Sequence, residues 1–511
     1  MSIHTPEMQQ STPFHSSCRK IGHGILLLLV FSLLSCSDDS PNGPLPVISW
    51  AMSGARFRVY TDEVLSLVPD VDHTDETTTY RWTMDGAVIG NADHYEFSSP
   101  TAGEYYVQFR VTNRFGQTDD EVKVTVVQAE GNTIPELPSD STLRCLFPFS
   151  EINIPIGRDI EIRPYIMENA DDYSFQWQIN GVDVAGSGQT ETGIPRLIFH
   201  ARELGTVKVC LLLHNDTSEV RREVSVHQCP PAGTYRRTTP STRRMADKVY
   251  EYQPAPGHQV NGYIITGKAF PDGCTHEQAC DTVLSHFEHQ WMTSLGGWGG
   301  YLVAGFDHSV ARNDAKPDLC IKGNPYDYQS EPGIIWVSQD VNGDGQPNDL
   351  WYELGGSEYG TQNHTTGYAM TYYHPQHPHM GVAWKGCDGE TDYIPYMSYW
   401  NPADYYWQDW QRDEETLTFF GSMLASNVSY SNGVSSLPPY TWGYADNLGE
   451  DYTEGARGRM GYYNIRNART WDGHPAELDY IDFVKVQTAI TGHTPNLGDA
   501  STEVYCIMSN E

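Results

Sequence analysis

Basic residues are scarce in this 511-residue chain. Only 32 Lys and Arg stand against 66 Asp and Glu, a formal net charge of −34. A surface that negative repels nucleic acid and anionic lipid, so nucleic acid is not expected as a partner. The one long apolar run, residues 21–36, is broken by small residues and falls short of the roughly 20 apolar residues a spanning helix needs. None of the ten cysteines forms a CxxC, which leaves a paired-knuckle zinc site without support. A GxSxG elbow, an HExxH helix and Walker or dinucleotide loops are also missing. Among 66 carboxylates some pair falls at glycosidase spacing in any fold, so acidity alone does not argue for a hydrolase. The chain is not expected to be an enzyme.

What is abundant is aromatic. Phe, Trp and Tyr make up 12% of the chain, with 32 Tyr and 13 Trp, while helix-favouring Leu/Lys/Glu patterns are few. That composition points to β-rich domains, and the length calls for two to four of them.

The start of the chain reads as an export signal. Arg19 and Lys20 precede the apolar run, which ends in Leu33-Leu34-Ser35-Cys36. This ending resembles the lipobox of bacterial lipoproteins, and Ser37-Asp38-Asp39-Ser40 resembles the acidic tag of Bacteroidota lipoproteins sent to the outer face of the outer membrane. The resemblance implies a signal peptide over 1–35, lipidation of Cys36, a tether over 36–46 and a surface-exposed, lipid-anchored location. An ordinary signal peptide whose Cys is incidental is the alternative. Eight cysteines follow, an even number that permits disulfides within a domain without requiring them.

From 47 to 128 short β-type runs alternate with turns, and a weaker copy spans 142–230. YRWTMDGAVIG at 80–90 is matched by FQWQINGVDVAG at 175–186, and Gly103-Glu-Tyr-Tyr-Val by Gly205-Thr-Val-Lys-Val. One small sandwich per copy is expected, with Trp82 and Trp177 in the two cores. Tyr80-Arg-Trp82, Ala102-Gly103-Glu-Tyr105 and Val111-Thr-Asn113 resemble the PKD type of immunoglobulin-like domain, which implies spacer or interaction modules. Between the second copy and the rest, 231–248 holds the basic residues Arg236, Arg237, Arg243, Arg244 and Lys248. They suit a solvated linker or a docking site for an acidic partner.

Residues 249–508 carry most of the aromatics. One helix is predicted after Gly273, with Thr275 and Gln278 forming a capping box and Ala279, Val283, Leu284 and Phe287 on one face. The short β-runs after it predict a larger, jelly-roll-like β-sandwich. Four blocks, at 249–257, 294–310, 331–359 and 480–488, resemble the C-terminal domain of PKD-containing Bacteroidota surface lipoproteins. Members are often encoded beside TonB-dependent receptors, corrinoid uptake systems included. That implies ligand capture with such a receptor as partner.

Three constellations could carry chemistry. In the turn from Asp340 to Asp349, oxygen side chains alternate as in half of an EF-hand loop, so calcium is expected on Asp340, Asn342, Asp344, Asp349 and the carbonyl of Gln346. Trp351 replaces the usual bidentate Glu, and an Asp/Asn/Gly hairpin turn has the same composition for reasons of backbone geometry. His374, His377 and His379 are spaced for a transition metal but stiffened by prolines, and a polar loop is the favoured reading. Eight Tyr and Trp crowd into 393–410. Trp400, Tyr405, Tyr406, Trp407, Trp410 and Trp442 are the candidate ligand-binding rings, and loop packing is the equal alternative. The expected function is capture of a corrinoid or a glycan beside a transporter. An adhesin or stalk protein is the runner-up and a glycan-processing enzyme comes third.

Overall fold

The computed structural model describes residues 43–50, 55–127, 137, 144–167, 173–185, 195–214, 219–230, 233–260, 269–398, 400–453 and 459–510. The signal peptide, Cys36, most of the tether and Tyr399 lie outside the described residues. The fold is all-β, with one α-helix among the described residues.

Both repeats form immunoglobulin-like sandwiches with the same wiring. In the first, Gly103–Asn113 and Gly116–Val127 make a long hairpin, Thr79–Met84 pairs with its first arm, and Arg56–Tyr60 runs parallel to its second. In the second, Gly205–His214 and Glu219–Cys229 make the hairpin, Ser174–Ile179 pairs with its first arm, and Glu151–Pro155 runs parallel to its second. Alternation dictates which side chains turn inward. Val107, Phe109, Val111, Val122, Val124 and Val126 are buried in one copy, and Val209, Leu211, Leu213, Val224 and Val226 in the other. Trp82 and Trp177 are fully buried at matching positions, opposite Phe109 and Leu211. The Trp82 indole donates to Ala92 O at 2.9 Å. The Trp177 indole finds no acceptor among the described residues, a mark of the weaker copy.

The third domain is built on a six-stranded antiparallel sheet, in the order Lys248–Gln253, Tyr301–Ala311, Tyr480–Thr488, Gly333–Ser338, Trp351–Leu354 and Ala468–Arg469. Its central strand Tyr480–Thr488 is buried along almost its whole length, because both faces are covered. Val484 and Val486 face a core shared with the helix and with the sheet that contains Leu319–Lys322 and Cys506–Ser509. On the opposite face Gln487 donates to Gly299 O and Phe420 O, which ties the sheet to a second layer containing His364–Tyr373 and Thr416–Leu424. The helix spans His276–His289 and has the capping box expected of Thr275 and Gln278. Ala279, Val283 and Phe287 are buried and Leu284 packs partly buried beside them. All eight cysteines of the described residues are free thiols.

The sandwiches do not stand clear of the third domain as simple spacers would. In the first, the backbone of Ser66 exchanges two hydrogen bonds with the Asn432 side chain, and Val434 packs against the sandwich core. In the second, Asn153 bonds to Asn348, Arg158 donates to Ala476 O, and the Tyr165 ring lies 4.6 Å from Phe420. Residues 233–248 are likewise part of the fold. Arg236 pairs at 2.9 Å with the fully buried carboxylate of Asp482, and Arg244 donates to Ser509 O.

Candidate ligand clefts and the acidic turn

The 340–349 turn is shaped by its own acids. Asp340 accepts the amides of Gly343 (2.7 Å) and Gly345 (2.9 Å), and Asp344 accepts the amide of Gln346 and the side-chain amides of Asn342 and Asn348. Gly343 and Gly345 both have positive φ, which explains the spacing of glycine in this motif. Most of the expected ligand oxygens therefore already hold the turn itself. The exception is Asp349. It is 2% exposed, and apart from the loosely placed amide of Val341 its carboxylate oxygens have no hydrogen-bond partner among the described residues. Burial and the charge of Asp340 push it up to about 8. A bare buried carboxylate beside Asp340 fits a cation, while the carboxylates of Asp340, Asp344 and Asp349 are not drawn together as closely as a preformed cage requires.

The aromatic segment divides between core and clefts. Tyr406 and Trp407 are buried in a cluster with Trp298, Tyr368 and Trp384, where Tyr406 Oη accepts the Met397 amide and Trp407 donates to Gln411 O. Their ring faces are covered in this conformation. Trp410 packs against the main core beside Tyr252 and Phe270. Trp400 is half-buried under the Arg58 guanidinium, which lies 5.5 Å from its ring. Tyr405 is half-buried against His374, and Trp442 stands half-buried in the loop whose carbonyl accepts the Ser357 amide. The histidines do not converge. His374 contacts Tyr405 and Trp407, whereas His379 pairs with Asp404 at 3.2 Å and contacts Tyr396.

Two clefts open where the sandwiches meet the third domain. One, of about 620 Å³, lies between Arg58, Tyr60 and Glu104 of the first sandwich and His379, Tyr396, Met397 and Pro402 of the third domain. The other, of about 770 Å³, is lined by Arg144 of the second sandwich and by His374, Tyr405, Arg412 and Glu414. Both volumes fall within the roughly 300–1,000 Å³ of small-molecule sites. Each of these clefts is formed by two domains, and Tyr405 is the one candidate ring that lines either of them.

The element that sets the first cleft was missed in the sequence, although its signal is there. Ser429–Ser431 and Val434–Ser436 form a hairpin whose turn residues Asn432 and Gly433 have φ of 51° and 74°. Asn-Gly between two β-runs is the strongest short-range hairpin signal. A Cβ on Gly433 would lie 2.7 Å from Leu65, so the close approach to the sandwich depends on glycine.

No family model matches the chain, and no curated protein matches it. Among solved structures it is similar to the fibronectin(III)-like modules of Clostridium thermocellum CbhA, at 11% identity and a TM-score of 0.16 over 38% of this chain and 99% of that one. It is also similar to a chimeric titin Z1Z2 tandem, at 13% identity and a TM-score of 0.15 over 36% of this chain and 99% of that one. An endo-beta-1,4-mannanase from Thermotoga petrophila gives 11% identity and a TM-score of 0.16 over 21% of this chain and 26% of that one. The neighbours accord with immunoglobulin-like sandwiches, and scores of this size carry no argument about activity.

Proposed function

We propose that this protein is a PKD-containing lipoprotein anchored through Cys36 to the outer face of an outer membrane, and that it captures an extracellular ligand for a TonB-dependent transporter. The supporting observation is the 620 Å³ cleft in which Arg58 and Tyr60 are held opposite Tyr396 by the docked hairpin. A stalk or adhesin would have no need to lock its sandwiches onto the large domain. An aromatic, partly basic cleft formed by two domains suits a ligand with flat or apolar faces and polar edges, which describes both a corrinoid and a glycan. Calcium in the 340–349 turn belongs to the same reading and is supported by the bare carboxylate of Asp349.

Calorimetry of the mature chain against cobalamin and an oligosaccharide panel tests it. Binding with a negative heat-capacity change is expected, weakened at least tenfold (about 1.4 kcal/mol) by Arg58→Ala or Tyr396→Ala. No binding to either class, with adhesion of intact cells to glycoprotein through the first two domains, would replace capture with adhesion.

A further inference from the structure

Among the described residues, the one set of three acidic side chains that each bring a carboxylate oxygen within 4.8 Å of the other two is not in the 340–349 turn. It is Glu331, Asp446 and Glu503. Asp446 is 1% exposed and Glu503 3%, and Glu331 is partly buried. The three come from distant parts of the third domain: the approach to strand Gly333–Ser338, the loop after Leu437, and the short strand Glu503–Val504.

Part of the group is satisfied by backbone. Glu331 Oε1 accepts the Ser501 amide at 2.8 Å, and Asp446 accepts the amides of Asn324 (2.7 Å) and Glu503 (3.0 Å). Glu503 Oε1 is buried with no hydrogen-bond partner. A second observation comes from outside the acids. One end of the Asn324 side-chain amide lies 3.2 Å from both Glu503 Oε2 and Asp446 Oδ1; with its oxygen at that end, oxygen meets oxygen on both sides. Such a convergence of acceptors is repulsive unless something positive lies among them. Either the Asn324 amide turns over to donate and the acids share protons, or a cation occupies the centre.

No basic side chain does the work. Arg459 donates to the Asn324 backbone carbonyl at 3.1 Å, and its charge acts on Asp446 less than burial and the backbone hydrogen bonds do. Bare of any cation, burial pushes Glu331 and Glu503 well above the usual carboxylate range and Asp446 up to about 7. Water is the preferred home for three charges this close.

We propose that Glu331, Asp446, Glu503 and the amide oxygen of Asn324 hold one calcium ion inside the third domain. The donor set is all oxygen, which selects a hard cation over zinc or copper. Oxygens on opposite sides of a calcium ion are about 4.6–5.2 Å apart, so a group confined within 4.8 Å fits one ion. Magnesium retains its waters and is seldom held by an all-protein cage, whereas calcium accepts six to eight oxygens in flexible geometry. The ion would fasten four chain segments at one point, next to the buried pair of His258 and Asp499. This site is separate from the 340–349 turn and does not rest on the ligand reading above.

The test is metal analysis of the full mature chain, dialysed with calcium and with magnesium at about 1 mM, together with its melting temperature with and without chelator. Calcium should be retained and the melting temperature should fall on chelation. Glu503→Gln and Asp446→Asn should each lose one equivalent, while Asp340→Asn with Asp344→Asn should keep it. Asn324→Asp, which adds a fourth carboxylate, should bind more tightly. The proposal is overturned if no calcium is retained, the chelator leaves the melting temperature unchanged and Glu503→Gln is as stable as the parent, for then the acids share protons. It is equally overturned if Asn324→Asp is destabilised at saturating calcium.

Discussion

Asn432 and Ser66, 366 positions apart in the chain, bond to each other as two strands would: the Ser66 amide donates to Asn432 Oδ1 and Asn432 Nδ2 donates to the Ser66 carbonyl, both at 2.6 Å. A side-chain amide here stands in for a peptide group and adds one more rung to the edge of the first sandwich. The contact is reinforced by Tyr430, whose hydroxyl donates to Arg58 O at 3.3 Å. It fixes the angle at which Arg58 and Tyr60 face Tyr396.

Removing that rung should free the first sandwich without unfolding it. Two hydrogen bonds at roughly 1 kcal/mol each make Asn432→Ala worth about 2 kcal/mol of docking. Limited proteolysis should then cut between the first sandwich and the rest at lower protease concentration. An unaltered digestion pattern would mean that the Tyr430 hydrogen bond and the apolar contact of Val434 hold the joint without Asn432.

The two buried indoles should behave as separate structural anchors. Trp82→Ala and Trp177→Ala should each cost about 3–5 kcal/mol, and the losses should add, because each Trp belongs to a different core. Ligand affinity of the surviving folded protein should be affected more by Trp82→Ala, since the first sandwich supplies one wall of the smaller cleft. Denaturant melts of the single and double variants check both points.

Lys485 gives a pH test. Its ammonium stands between the rings of Tyr301 (4.4 Å) and Trp336 (5.7 Å), and burial lowers it to about 8 from an ordinary 10.5. Below pH 8 both folded and unfolded chains carry the proton and the cost of burying the charge is constant. Between about pH 8 and 10.5 the folded chain releases it first, so the unfolded state binds more protons and stability rises with pH. Lys485→Met should remove that rise and stabilise the protein at neutral pH by up to about 3 kcal/mol. Melting temperatures of both proteins across pH 7–11, compared as a difference, decide it.

Calcium in the turn makes a separate prediction. A ligand bound only by the folded state at ten times its dissociation constant adds about 1.4 kcal/mol. Asp349→Asn should abolish the part of the calcium response that Glu503→Gln leaves intact. If Asp349→Asn leaves that part unchanged, the turn is held by its own hydrogen bonds and nothing else.

Anchoring is tested on cells. Cys36→Ala should move the protein out of the membrane fraction, because an acyl chain contributes about 0.8 kcal/mol per buried methylene and nothing else in the tether does.

Local pattern carried much of the fold. The period-two runs at 105–111 and 121–127, the matched Trp82 and Trp177, and the Thr275/Gln278 cap are all short-range signals, and the strand pairing and the helix follow them. The clefts were harder to read because each is a meeting of residues hundreds of positions apart, such as Arg58 with Tyr396. Composition could not separate Trp407, which fills a core, from Tyr405, which lines a cleft, since both occur in the same loop. Likewise Glu331, Asp446 and Glu503 share no spacing. Only the crossing of strands brings them together.

In both sandwiches the second strand lies parallel to the last, Arg56–Tyr60 beside Lys123–Val127 and Glu151–Pro155 beside Ser225–Cys229, after a short first strand at Val47–Ser49 or Arg144–Leu146. A pull on the chain ends of such a module runs along these strands in opposite directions. The ladder bonds are then sheared together and cannot be peeled apart one at a time, as they would be at the end of a hairpin. Resistance of this kind is set by the rate of unfolding under load. If the chain is tethered through Cys36 as proposed, the sandwiches would carry tension between the anchor and the third domain as well as wall the clefts.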